Sequence, residues 1–167
     1  MYSMSEAEGV ARGAARDIEA WLRAWPSTKA VRNVEKLAAF QRIDVDILWT
    51  TAKREWRVEI KGDRYHRTGN FFFETLSNRE RGTPGCFLYT EADLLFYYFV
   101  VPRDLYVLPM PETRDWFVPR QRHFREATTT TPAGRGFYTT GGRLVPIDMV
   151  MRAVPSAERY RLPAADS

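Results

Sequence analysis

Between Arg42 and Asp63 the hydrophobic period of the chain becomes two, and this alternation constrains the fold more than any other feature. Ile43, Val45 and Ile47 alternate with Asp44 and Asp46. After a polar turn over 50–54, Trp56, Val58 and Ile60 alternate with Arg57, Glu59 and Lys61. Two short alternating runs joined by a polar turn predict an antiparallel hairpin, apolar on one face and charged on the other. Asp44 and Asp46 share a face of the first strand, and Glu59 and Lys61 share one on the second. Acids and a lysine then converge on one sheet surface. Burying such groups is costly unless they are paired or bind a cation. Two carboxylates and a backbone carbonyl make a hard oxygen set suited to Mg²⁺. A lysine beside it orients an attacking water or stabilises a pentacovalent phosphate. The plainer alternative is a surface hairpin with a cross-strand lysine–carboxylate pair.

The hairpin is preceded by helical patterning. Val10, Ala14, Ile18, Trp21, Leu22 and Trp25 recur at spacings of three and four, which predicts a helix over 5–25 ended by Pro26. Val31, Val34 and Leu37 predict a second, short helix over 29–40, carrying Glu35. Downstream, strands are expected at 71–76, 94–101 and 105–108, with a helical turn at 90–93 and a helix over 111–126 interrupted at Pro119. Residues 128–136 read as a loop, 137–146 as a small hairpin around Gly141-Gly142, and 156–167 as a tail. The expected fold class is α/β (α+β), a single domain over 1–155 with a mixed central sheet, an N-terminal helix pair and flanking helices.

Composition narrows the chemistry. A single cysteine, Cys86, excludes an intramolecular disulfide framework and a multi-cysteine zinc site, and two histidines, His66 and His123, argue against a histidine-based metal cluster. Metal chemistry is left to carboxylate oxygen. The longest apolar run, Leu94 to Val101, falls well short of the about 18 residues of a membrane-spanning helix. The polar start, with Glu6 and Glu8, does not read as a secretory signal, so a cytoplasmic protein is expected. The net charge of +4 is arginine-dominated, which permits a nucleic-acid partner. Walker A, G-x-G-x-x-G and G-x-S-x-G patterns are absent, which disfavours nucleotide-driven motors, dinucleotide enzymes and serine hydrolases of the elbow type.

The pattern Arg42-Ile43-Asp44-Val45-Asp46 followed by Glu59-Ile60-Lys61 resembles the PD-(D/E)XK nuclease superfamily, the restriction-endonuclease-like and Holliday-junction-resolvase-like enzymes, in a form seen in phage and mobile elements. The resemblance covers roughly residues 30–109. The proline that names the motif is absent, and Ile43 precedes Asp44. The resemblance implies an Mg²⁺-dependent endonuclease, with Mn²⁺ as a substitute, that hydrolyses nucleic-acid phosphodiesters, DNA being the expected substrate. Asp44, Glu59 and the Ile60 carbonyl would hold the metal, and Lys61 would position or activate the water. Asp46 competes with Asp44 as the main ligand, and Asp44 fits the family pattern better. Glu35, Asp46 and Glu74 are the candidates for a further acid. Arg64, His66 and Arg67 follow the motif in a basic loop, with Arg79, Arg81 and Arg122 further on; all six are candidates for nucleic-acid contact, solvated loops being the alternative. Nucleic acid is the expected partner, with a homodimer or a protein partner allowed. The competing function is a non-catalytic nucleic-acid-binding or assembly subunit on the same fold.

Overall fold

The computed structural model describes residues 4–133 and 136–165. The chain is mixed α and β and groups into two compact units. Met1–Arg67, Glu91–Met110 and Ser156–Ser167 form the first, and Thr68–Thr90 with Pro111–Pro155 the second.

The first unit is built on a six-stranded mixed sheet. Its strands are β1 (Thr28–Asn33), β2 (Ile47–Thr51), β3 (Glu55–Asp63), β6 (Leu94–Phe99), β7 (Asp104–Pro109) and β10 (Glu158–Arg161), in the order β1-β2-β3-β6-β7-β10. All neighbours run antiparallel except β3 and β6, which are parallel with Glu59 opposite Leu95 and Lys61 opposite Tyr97. Helix α1 (Met4–Ala24) buries Ala14, Ile18 and Leu22 completely, one residue per turn on a single stripe. That stripe joins Val58, Phe96, Tyr98 and Leu105 in one core cluster. The helix reaches the sheet closely at Gly62, where a Cβ would stand 3.0 Å from the Ala14 methyl. Trp21 and Trp25 continue the packing onto Trp49 and Tyr160, with ring centroids 5.0–6.4 Å apart.

The helix expected over 29–40 is instead β1, a turn at 35–36 and the four-residue α2 (Ala38–Gln41). Val31 and Val34 are buried, but from a strand and its end, so their spacing of three imitated a helical face. Residues 156–167, expected as a tail, supply β10. Its Arg159 and Arg161 both bind the Asp104 carboxylate, at 2.9 and 2.5 Å.

The second unit has a four-stranded antiparallel sheet, β5-β4-β9-β8, from β4 (Asn70–Asn78), β5 (Thr83–Pro84), β8 (Arg125–Ala133) and β9 (Gly136–Pro146). Helices α3 (Cys86–Tyr89), α4 (Met110–Phe117) and α5 (Ile147–Ala153) accompany it, with a 3₁₀ segment at Val118–His123. Phe73 and Phe87 stack on each other, Phe117 meets both rings edge-on, and Phe124 stacks against Phe117. The expected loop over 128–136 is largely β8, residues 134 and 135 lying outside the described residues. The expected hairpin over 137–146 is the single strand β9. Gly142 does not turn there. A side chain at that position would meet the Phe72 ring and the Phe73 carbonyl at 2.6 Å, so glycine permits close strand packing.

Candidate metal centre

Strand β3 carries Glu59 and Lys61 side by side on the face opposite α1. Glu59 is only 5% exposed, and Lys61 is half-buried. Both belong to the first unit, as do Asp44, Asp46 and Glu35.

Asp44 and Asp46 are not on a strand. β2 begins at Ile47, and the two aspartates sit in the turn and approach that lead into it. The reason lies in the hydrogen bonding. Asp46 is still held on both flanks, accepting the Val34 N–H at its carbonyl (2.8 Å) and donating its own N–H to the Val58 carbonyl (2.9 Å). One residue earlier the chain has left the sheet, because the Val45 N–H returns to the Phe40 carbonyl at 3.1 Å. Asp44 then adopts a left-handed backbone, φ 55°, a region that Asp tolerates better than most side chains. The turn brings a carboxylate oxygen of Asp44 within 4.8 Å of one from Glu59.

That spacing suits one hard cation. Two oxygens that bind a single ion at about 2.1–2.6 Å each stand at most about 4–5 Å apart. Two carboxylates this close, one of them buried, repel each other, and a cation between them offsets that repulsion. Ile60 follows Glu59 directly, so its carbonyl belongs to the same short segment. The donor set fits Mg²⁺ or Mn²⁺ on chemical grounds.

Asp46 has a different task from Asp44. Its Oδ2 accepts the Ile60 N–H at 2.7 Å. Burial raises its carboxyl from the usual value of 3.8 to about 6; the Ile60 hydrogen bond pulls the other way, and the charges of Asp44 and Glu35 push it further up. Glu35 is therefore electrostatically coupled to the group, but from an exposed turn after β1 and not from the expected helix.

The other end of the same β3 face was not singled out in the sequence. Asp63 accepts the Tyr97 hydroxyl at 2.5 Å and the Tyr65 N–H at 2.7 Å. The signal is present in the two-residue spacing of Glu59, Lys61 and Asp63, although a glycine at 62, a residue depleted in strands, interrupts the apolar alternation. Arg64 and His66 are half-buried and Arg67 exposed just beyond β3. Glu74, Arg79, Arg81 and Arg122 belong to the second unit. Arg79 pairs there with Glu126 at 3.9 Å, and Arg81 and Arg122 are exposed. Cys86 opens α3 in that unit.

Among the described residues, no helix is long and apolar enough to cross a membrane. No family model, curated protein or solved structure matches the chain.

Proposed function

We propose that the protein is a divalent-metal-dependent nuclease of the PD-(D/E)XK kind, hydrolysing phosphodiester bonds in nucleic acid, with DNA as the expected substrate. The observation that carries this reading is the approach of Asp44 to Glu59, with Lys61 two residues on along the same face. Asp44 and Glu59 would hold Mg²⁺ together with the Ile60 carbonyl. The ion would supply Lewis-acid activation of the scissile phosphate. Lys61 orients the attacking water and offsets the negative charge that grows on the phosphoryl oxygens. Glu59, buried in the sheet, is restricted in its rotamers and so keeps its carboxylate aimed. Arg64, His66 and Arg67, immediately beyond β3, would meet the phosphate backbone of a bound strand.

The test is a cleavage assay on supercoiled plasmid, linear duplex, single strand and a four-way junction. Each is run with Mg²⁺, with Mn²⁺ and with EDTA, beside the Lys61→Ala variant. Cleavage that requires metal and disappears in the variant is the expected result. Salt-sensitive binding without cleavage in any metal would replace this reading with a non-catalytic nucleic-acid-binding subunit. Neither cleavage nor binding would overturn both.

A further inference from the structure

We infer that Asp46 is a positioning residue, which fixes the Glu59–Ile60 segment through the Ile60 amide and is not itself a metal ligand. The inference rests on the metal-site reading above and settles which aspartate does what within it.

The geometry divides the two aspartates. Asp46 is the last residue of its segment held in the sheet, and it grips β3 on both sides of Glu59. Its backbone N–H donates to the Val58 carbonyl at 2.9 Å, and its side chain accepts the Ile60 N–H at 2.7 Å. Were β2 to continue back in register through Val45, that residue would stand opposite Ile60 and its carbonyl would take the Ile60 N–H. The Val45 N–H has already turned back to Phe40, so that carbonyl is withdrawn. The Asp46 carboxylate replaces it and extends the ladder by one bond. This lets the chain peel away and still leaves the Ile60 amide satisfied.

Peeling away has a second effect. It gives the Asp44 backbone room for its left-handed turn, and that turn swings its carboxylate to within 4.8 Å of Glu59. A chain that stayed paired through residue 44 would alternate Asp44 and Asp46 onto one face, as the sequence pattern suggests. The observed chain instead assigns one carboxylate to the amide and the other to the cation. Partners of this outer kind orient ligands without touching the ion.

Asn at position 46 keeps a carbonyl oxygen that can accept the Ile60 N–H; Ala does not. Mn²⁺ affinity, read by calorimetric titration of wild type, Asp44→Asn, Asp46→Asn and Asp46→Ala, therefore separates the roles. Asp46→Asn is expected within about fivefold of wild type, whereas Asp46→Ala weakens binding about 10–100-fold and Asp44→Asn more than about 100-fold. Amide exchange at Ile60, read by NMR, is expected to stay slow in Asp46→Asn and to become at least about tenfold faster in Asp46→Ala. Loss of Mn²⁺ in Asp46→Asn as deep as in Asp44→Asn would make Asp46 a ligand and overturn the inference. So would an Asp46→Ala protein that matches wild type in both readouts. Wild-type protein that takes no Mn²⁺ overturns the metal-site reading and this role with it. Wild-type protein that binds Mn²⁺ and shows the expected series, yet cuts nothing, overturns the nuclease reading alone.

Discussion

The two faces of β3 are made from alternate residues of one nine-residue strand, and they solve opposite problems. The even face presents Trp56, Val58, Ile60 and Gly62 to the core under α1. The polar groups near it are mutually satisfied: the Tyr98 hydroxyl and Arg103 both bind the Asp17 carboxylate at 2.8 Å. Burial and that carboxylate push the Tyr98 hydroxyl far up, so it stays a neutral donor. The odd face gathers acids. Glu59 meets Asp44, and Asp46 feels the charges of Asp44 and Glu35. One face is closed by apolar packing and one balanced ion pair. The other concentrates negative charge around a single lysine of the motif. The difference teaches that stability and chemistry are separable within one strand, because side chains alternate and neighbours in sequence do not share surroundings.

Four variants bear on that separation, beginning with the largest effect. Lys61→Ala, on the odd face, is expected to lower metal-dependent cleavage by at least about 10³-fold, about 4 kcal/mol. Its thermal midpoint should stay near that of wild type. A cleavage rate within a few-fold of wild type would remove the chemistry from this face. Leu22→Ala, beneath the even face, should cost about 3 kcal/mol in urea unfolding through the cavity it leaves, with cleavage per folded molecule unchanged. Parallel loss of rate and stability would show that the faces are coupled after all.

Asp46→Asn sharpens the comparison through pH. A carboxyl raised from 3.8 to about 6 in the folded chain is ionised against resistance. Below the usual value both states hold the proton, and there is no penalty. As pH rises through about 6 the folded state loses stability relative to the unfolded one, by up to about 3 kcal/mol. Asparagine removes that penalty and keeps the acceptor. The variant is expected to be more stable than wild type at pH 7.5 and closely matched to it at pH 4, in denaturant titrations at both values. A pH-independent difference would contradict the electrostatic picture. The smallest expected effect is Gly62→Ala, about 1 to 2 kcal/mol, since its methyl would press on Ala14 at 3.0 Å and α1 must shift slightly. Equal stability would show that the helix contact tolerates more than its spacing suggests.

Much of the first unit was legible because strong periodicity and burial agreed. α1 matched its three-and-four spacing within a residue, and β3 followed its alternation. The candidate site was legible in composition and order but not in geometry. Asp44 and Asp46 alternate with apolar residues, so the pattern placed both on a strand. No local signal marks the point where Val45 leaves the sheet, since that is set by hydrogen bonds to Phe40 and Val34. The threonines from Thr128 to Thr130 suggest a loop by polarity, although their β-branched side chains suit an exposed strand. Gly141 and Gly142 read as a turn, whereas glycine at 142 answers crowding from the neighbouring strand.

The parallel pairing of β3 with β6 also bears on how the chain assembles. Residues 64–93 separate the two strands, and much of that stretch is committed to the second unit. β10 then joins from near the far end of the chain. Closing such long loops costs entropy before any contact rewards it, so the sheet is a slow-forming object. The peptide that carries Glu59 and Lys61 must wait for a partner synthesised after it, and its final strand neighbour on that side is fixed late. Refolding of the first unit is therefore expected to be governed by long-range encounter, on a timescale of milliseconds to seconds, and not by the fast local formation of α1.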